Sequence, residues 1–183
     1  MKAPRAVWIA LAFAAAFAAP PASRGLAAQQ TPDLATLFDL GTLVLDTNGD
    51  SVPDLVNAAL VLGDDPSSIV QAAGAEVAAR LGFETMAMDL PLSRSPEGGQ
   101  IGIVVGRSGL EGAGLRAPGI DPASLDSGEG AVAVREEDGR TWVLVVGGDE
   151  EGLHAAARLF AGVLPHTRTL STAKLARVRA DPA

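Results

Sequence analysis

Residues 141–160 read TWVLVVGGDEEGLHAAARLF, and this stretch predicts a β-strand that leads directly into an amphipathic helix. The first six residues are rich in β-branched and aromatic side chains, as buried strands are. Two glycines follow, and Asp149 then stands where a helix N-cap is expected. Leu153, Ala156 and Phe160 recur at helical spacing and form one apolar face. That face has to be buried, so the stretch predicts a helix packed on a sheet.

The residues before this stretch predict a β-hairpin. Ala131–Arg135 is a second apolar run, and Glu136-Glu137-Asp138-Gly139 separates it from the strand that begins at Thr141. Asp-Gly is a strong signal for a tight hairpin turn. We therefore expect these two strands to be antiparallel neighbours.

An earlier strand–helix–strand unit is also predicted. Leu55–Leu62 is an apolar run typical of a buried strand, and Asp65-Pro66 then resembles a capped helix start. The helix is expected to end at Gly82 as its C-cap, and Phe83–Leu90 alternates like a strand. Ile101–Val105 is wholly apolar and predicts a short strand in the interior of the sheet.

The connecting segments are less regular. Leu34–Leu45 predicts a short helix or turn followed by a strand, while Gly106–Gly128 is rich in glycine and proline and predicts a long surface loop. No helix is predicted after Gly106, so the Gly-Arg-Ser-Gly sequence there lacks the helix that a dinucleotide fingerprint requires. Together these elements predict an α+β fold, a mixed β-sheet of about five strands with two helices packed on one face.

The first 28 residues are typical of a secretory signal. Lys2 and Arg5 precede an apolar, alanine-rich run that is shorter than the roughly 20 residues of a membrane span, and small residues lead to a cleavage position near Ala27 or Ala28. An uncleaved N-terminal anchor is the alternative. Removing residues 1–28 takes away three basic side chains and no acid, so the net charge goes from −8 to −11. Such a charge disfavours nucleic acid and anionic lipid as partners.

The strongest chemical signal is the stretch 46–54, which reads DTNGDSVPD. Calcium prefers oxygen ligands, and loops of the EF-hand type supply them from alternate positions. With Asp46 at position 1, the ligands would be Asp46, Asn48, Asp50, the carbonyl of Val52, and Asp54. Gly49 permits the tight turn that this spacing requires. The sequence therefore predicts a calcium site with these five ligands.

This stretch departs from the EF-hand at two positions. Ser51 occupies position 6, where glycine is usual, and Asn57 occupies position 12, where a bidentate glutamate is usual. The pattern instead resembles the calcium loops of thrombospondin type 3 repeats and dockerins. The alternative is an Asn-Gly turn rich in aspartate that needs no metal.

Catalytic constellations are not evident in the sequence. His154 and His166 are the only histidines, and no acid is placed by spacing to orient either of them. Ser108 lacks the Gly-x-Ser-x-Gly context of a nucleophile elbow. The sequence therefore favours a non-enzymatic protein, with an enzyme site on the Gly106–Gly128 loop as the alternative.

Residues 55–164 resemble a known type of domain. A strand ending in Gly-Asp-Asp-Pro, a helix containing Val-Ala-x-x-Leu-Gly-Phe, and the stretch from Trp142 to Gly162 are similar to the non-catalytic N-terminal α/β domain of hexosaminidase and glucuronidase-type glycoside hydrolases. Segments of the periplasmic cellulose synthase regulatory subunit look similar as well. The resemblance implies an α/β accessory domain, and it assigns no catalytic residue to this chain.

These observations give one set of expectations. Residues 1–28 are a signal peptide, 29–54 a linker with the calcium loop, 55–165 the α+β domain, and 166–183 a polar tail. We expect a secreted or periplasmic, calcium-stabilised surface-interaction or carbohydrate-associated accessory module, whose partner is a polysaccharide or another cell-surface protein. The alternative is the N-terminal accessory part of a truncated glycoside hydrolase or other extracytoplasmic hydrolase.

Overall fold

A computed structural model describes residues 32–85, 92–93, 101–115, 119–166 and 173–181. Its centre is a six-stranded sheet with the order β4-β3-β5-β7-β6-β8. The strands are β3 (Ala58–Val61), β4 (Leu92–Ser93), β5 (Ile101–Val105), β6 (Glu129–Glu137), β7 (Arg140–Gly147) and β8 (Leu175–Arg179). A separate antiparallel pair is formed by β1 (Val44–Leu45) and β2 (Leu55–Val56).

The large sheet is mixed, as the sequence predicts. Strand β3 is parallel to both β4 and β5, and β5 is parallel to β7. Strand β6 is antiparallel to β7 and β8. The predicted hairpin is confirmed, because β6 and β7 are joined by a two-residue turn in which Asp138 and Gly139 have φ of 52° and 74°. Positive φ at both positions matches the twist of the adjoining strands.

Two helices cover one face of this sheet, which confirms the predicted layering. Helix α1 (Ser68–Thr85) and helix α3 (Glu150–Arg158) bury their apolar sides against alternate residues of the central strands. Val77 and Leu153 lie in the same core as Ile103 and Val145. A π-helical turn (Leu159–Val163) and a 3₁₀ turn (Leu164–His166) continue from α3, so that Phe160 also faces this core.

On the opposite face of the sheet, the predicted Gly106–Gly128 surface loop is partly wrong. A short helix, α2 (Gly106–Gly112), begins directly after β5, where the sequence predicts only loop and no helix. Leu110 packs with Val104 and Leu144, and Ser108 Oγ donates a hydrogen bond of 2.8 Å to the carbonyl of Leu62. These contacts come from distant residues, so a glycine-rich segment of low helix propensity becomes helical through packing.

Helix α1 also differs from its predicted limits. It begins at Ser68, with Ser67 Oγ accepting from the Val70 amide at 3.5 Å, so the predicted Asp65-Pro66 start is two residues early. It continues through Gly82, the predicted C-cap, to Thr85, which is buried and donates to the Leu81 carbonyl. The strand predicted for Phe83–Leu90 is therefore wrong for residues 83–85, and residues 86–90 lie outside the described part of the chain.

The strand predicted for Leu55–Leu62 is divided between two sheets. Asn57 separates β2 from β3, and its backbone N–H donates to the Leu43 carbonyl at 2.8 Å. Strand β2 thereby pairs with β1, while β3 belongs to the large sheet. A change of strand partner within one apolar run has no signature in hydrophobic periodicity.

Both flanking segments contribute to the domain. Within the predicted linker, the expected turn and strand are present, and Leu34, Leu37 and Leu43 are fully buried in the core beneath α1 and α3. Strand β8 lies in the predicted polar tail and packs Ala176 and Val178 against the same core. The tail is therefore not only polar: its alternation buries one side of an edge strand.

Among the described residues, no helix is both long and apolar enough to cross a membrane.

Candidate calcium-binding loop

The predicted calcium loop connects the two strands of the small antiparallel sheet. Val44 pairs with Val56 and Leu45 with Leu55, so residues 46–54 are held at both ends. The amide of Asp54 donates to the carbonyl of Leu45 at 2.8 Å, which closes the base of the loop. The loop itself is mostly exposed, with Asp46 and Asp54 half-buried at its base.

Asp46 organises the loop through its carboxylate. Oδ1 accepts from the amides of Asn48 at 3.1 Å and Gly49 at 2.6 Å, and Oδ2 accepts from the amide of Ser51 at 2.7 Å. These N–H groups, with that of Ser51 contributing most, hold the pKa of Asp46 below its usual value of 3.8, and partial burial opposes them. Asp46, the first predicted ligand, is thus an ionised group that accepts hydrogen bonds from three backbone N–H groups of the loop.

Three further predicted ligands form local hydrogen bonds. Asn48 Oδ1 accepts from the amide of Asp50 at 2.9 Å, and Asp50 Oδ1 accepts from the amide of Val52 at 2.8 Å. Asp54 accepts from the amide and the hydroxyl of Thr47, at 3.0 Å and 2.8 Å. The structure therefore links Asp46, Asn48 and Asp50 in one chain of turns and directs Asp54 to Thr47.

One of the two departures from the EF-hand pattern, at Ser51, has an unusual backbone conformation. Ser51 stands where glycine is usual, and its φ is 68°, in the left-handed region that favours glycine. Gly49 also has a positive φ, of 84°. Two left-handed residues within three positions therefore give this loop a tight bend between β1 and β2.

No three His, Asp or Glu side chains within the described ranges are grouped closely enough to hold a metal ion. In this arrangement the loop carboxylates accept from the loop backbone and from Thr47. These hydrogen bonds form a turn, and calcium binding remains a prediction.

A second set of ionised groups forms hydrogen bonds and ion pairs at the start of α3 and along β8. Asp149, the predicted N-cap, accepts from the amide of Gly152 at 2.9 Å, which confirms its capping role. Its other oxygen accepts from the hydroxyl of Ser127 at 2.7 Å and the amide of Gly128 at 2.8 Å. The Gly152 N–H, followed by the Ser127 hydroxyl, holds the pKa of Asp149 below its usual value.

Glu129 and Asp126 bind the arginines of β8. Glu129 accepts from the amide of Asp126 at 2.9 Å and from Arg177 at 3.0 Å, and Arg179 donates to Asp126 at 2.9 Å. The Asp126 N–H, followed by Arg177, holds the pKa of Glu129 below its usual value. These partners are some 50 positions apart in the chain, so no spacing in the sequence indicates them.

We expect the free energy of unfolding to begin to fall as the pH drops to about 4.5 and then 3.8, and to continue to fall below these values until the folded carboxylates are protonated as well. The two pH values are the usual pKa values of Glu129 and of the two aspartates, Asp46 and Asp149. Each has a lowered pKa when folded, so the unfolded chain binds protons first and acid favours unfolding. Urea unfolding between about pH 6 and pH 3 measures this slope.

Asp149→Asn should reduce the slope, because the asparagine retains an acceptor but has no proton to gain in this range. Asp64→Asn, on an exposed residue after β3, is the control and should leave the slope unchanged. Equal slopes for all three proteins would contradict the assignment.

The remaining candidate groups do not form a catalytic constellation in the described part of the chain. His154 Nε2 lies 3.5 Å from Glu76 on α1, and both side chains are substantially exposed. Ser108 lies in the segment that was considered as an enzyme site. Its hydroxyl donates a hydrogen bond to the carbonyl of Leu62 and not to a basic side chain. The His154 and Ser108 side chains thus form contacts between separate elements of the fold.

The fold and the loop define an α+β domain with an aspartate-rich loop between β1 and β2. No protein-family model matches the chain, and no curated protein matches it in sequence.

Proposed function

We propose that this protein is a non-enzymatic extracytoplasmic domain, stabilised by calcium at residues 46–54, that acts as a surface-interaction or carbohydrate-associated accessory module. The observation that carries the proposal is the conformation of the loop. Asp46 gathers three backbone N–H groups, and Ser51 adopts the left-handed conformation usual for glycine at that position.

The donor chemistry of the loop fits calcium. Asp46, Asn48, Asp50 and Asp54 offer side-chain oxygens, and Val52 offers a carbonyl, so a hard cation would meet oxygen alone. A carboxylate oxygen has two lone pairs and can accept an N–H while also binding a cation. Calcium would neutralise three carboxylates within nine residues. It would also tighten the connection between β1 and β2.

The stabilised region is part of the core. Strand β1 and the turn before it place Leu37, Leu43 and Val44 beneath α1 and α3. The backbone of the loop continues directly into β2, whose Val56 is buried in that core. Calcium occupancy would therefore stabilise the whole domain and not an isolated loop.

The extracytoplasmic assignment is supported by the sequence. Residues 1–28 have the pattern of a secretory signal, and exported domains meet millimolar calcium outside the cell, where weak sites are filled. The N-terminal segment lies outside the described residues. The accessory role is supported by the hairpin and helix of residues 129–158, the arrangement on which the resemblance to glycoside-hydrolase accessory domains depends.

Calcium at about 1 mM should raise the free energy of unfolding by about 0.5–1.5 kcal/mol. This follows from a dissociation constant of about 10⁻⁴–10⁻³ M, as in extracellular modules, and from mass action. We expect weak affinity because Asn57 replaces the usual bidentate glutamate. Thermal melts in calcium and in chelator, with calorimetric titration, measure the effect.

Asp50→Ala should abolish the calcium-dependent shift, because it removes one carboxylate from the loop. Asp126→Ala, which removes an exposed acid outside the loop, should preserve it. Identical wild-type melts in calcium and chelator, with no heat on titration, would show that the loop is only a turn.

The accessory role has its own test. A glycan array probed in calcium should show binding to a polysaccharide, or a pull-down should recover a cell-surface protein. A panel of glycosides and esters should show no turnover. Turnover abolished by a point substitution within Gly106–Gly128 would overturn the non-enzymatic assignment.

A further inference from the structure

The edge strand β8 leaves one row of backbone groups directed away from the sheet. The Lys174 carbonyl accepts from Val134 at 2.8 Å, and the Ala180 amide donates to Gly128 at 2.8 Å. In an antiparallel pair, hydrogen-bonded and non-hydrogen-bonded positions alternate. The even-numbered residues of β8 therefore bond to β6. The N–H and C=O groups of Leu175, Arg177 and Arg179 point outward, and no partner for them is found in the described part of the chain.

The same three residues share one face of the strand. Ala176 and Val178 pack toward α1 and α3, so Leu175, Arg177 and Arg179 lie on the other side. Leu175 is 42% exposed, and the side chains of Arg177 and Arg179 are 51% and 65% exposed. An incoming strand would therefore meet one apolar and two cationic side chains at alternate positions.

The charge of this edge differs from that of the chain as a whole. Lys174, Arg177 and Arg179 lie within six residues, in a chain with a net charge of −8. Arg179 is paired with Asp126, and Arg177 with Glu129. Arg179 and Asp126 are both largely exposed, and such ion pairs contribute at most about 1 kcal/mol. Arg179 can therefore exchange Asp126 for an acid on an incoming strand, while Arg177 can turn its exposed guanidinium toward a second acid beside Glu129.

We propose that the outer edge of β8 binds an extended acidic segment of a partner protein by strand addition. Backbone hydrogen bonds to residues 175, 177 and 179 supply affinity, and acids opposite the two arginines supply selection. In antiparallel pairing the segment would have the pattern acid-x-acid-x-apolar. This interface uses no residue of the calcium loop.

The probe is a labelled peptide, Thr-Glu-Thr-Glu-Thr-Leu-Thr, measured by fluorescence anisotropy against the full chain in chelator. We expect saturable binding that weakens with salt, and at least about tenfold weaker binding when lysine replaces both glutamates. The chelator separates this result from the calcium proposal, since the melts in calcium are unaffected by its outcome.

Proline substitution distinguishes strand addition from simple charge attraction. Arg177→Pro removes an outward N–H, spares the ladder to β6, and should weaken peptide binding at least about tenfold. Arg177→Ala loses only the side chain and should weaken binding a few-fold. Arg158→Ala, on the exposed side of α3, is the matched control and should bind as the wild type. Amide spectra of each variant confirm that the fold is intact.

Any one of four results would overturn the proposal. Three of them are the absence of peptide binding up to about 1 mM, equal binding of the lysine peptide, and full binding by a folded Arg177→Pro variant. Self-association of Arg177→Ala without peptide binding would likewise overturn it, because it would show that the arginines prevent edge pairing.

Discussion

Replacing Gly152 with alanine is expected to destabilise the protein by about 3 kcal/mol, at the upper end of overpacking effects. A Cβ at this position would lie 2.2 Å from the carbonyl oxygen and 2.6 Å from the carbonyl carbon of Glu129. Both atoms belong to the backbone of β6, so neither can move aside as a flexible side chain would. The first turn of α3 would have to lift from the sheet.

The close approach is reciprocal. A Cβ on Gly130 would lie 2.0 Å from the Gly152 carbonyl, and one on Gly147 would lie 2.0 Å from the Leu153 amide. Three glycines therefore form a backbone contact between α3, β6 and β7. Lifting the helix would also strain the Asp149 cap, which depends on the position of the Gly152 amide.

Urea unfolding of Gly152→Ala and Gly162→Ala tests this contact. Gly162 has nothing within 4 Å of its Cβ position, so its substitution should change stability by no more than about 1 kcal/mol. Similar losses for the two variants would show that helix propensity, and not the contact with β6, decides the effect.

Replacing Phe160 with alanine is expected to destabilise the protein by about 3–5 kcal/mol, as for other large-to-small core substitutions. Phe160 is fully buried after the end of α3, and its ring centre lies 5.2 Å from that of Phe38. The residues around Phe38 include the buried Leu37 and Leu43. The substitution should therefore loosen the N-terminal segment as well as the core.

Chemical unfolding gives the loss of stability, and hydrogen exchange locates it. The Leu43 amide, bonded to the Leu37 carbonyl at 3.2 Å, should exchange faster in Phe160→Ala than the general destabilisation requires. Phe83→Ala is the control, because Phe83 is 75% exposed and should change stability by about 0.5 kcal/mol or less. Unchanged protection at Leu43 would mean that the N-terminal segment is held by other contacts.

The elements that could be predicted are those with complete local signals. The hairpin turn at Asp138-Gly139 requires positive φ at both residues, and the dipeptide itself shows this. Helix α3 has an N-cap, acids in its first turn and an apolar face within ten residues of sequence. Local propensity and tertiary packing agree there, so local reasoning was enough.

The elements that were missed depend on distant residues. Helix α2 has three glycines in seven residues, and it forms because Leu110 fills the second core and Ser108 bonds to Leu62, 46 positions away. Helix α1 continues through Gly82 because Leu81, just before it, and Thr85, at the end of the helix, are both buried. In both cases packing outweighs a propensity difference of about 1 kcal/mol per glycine.

The candidate loop shows the same division. The spacing of Asp46, Asn48 and Asp50 is written in the sequence, and it is enough to produce successive turns in which each side chain accepts from the backbone two residues on. The structure adds the position of this loop between β1 and β2. It also adds the pairing of Asp54 with Thr47, and neither could be derived from spacing.

The sequence by itself determined the α+β class, the hairpin, the helix that follows it and the local turns of the loop, because hydrophobic periodicity, caps and turn residues act over a few positions. Only the tertiary structure decided that residues 34–44 enter the core, that α2 is helical, and that β8 completes the sheet beside β6 with its arginines on Glu129 and Asp126. These features are stabilised by burial and pairing between segments far apart in the chain. Such contacts leave no periodic pattern in the sequence of either partner.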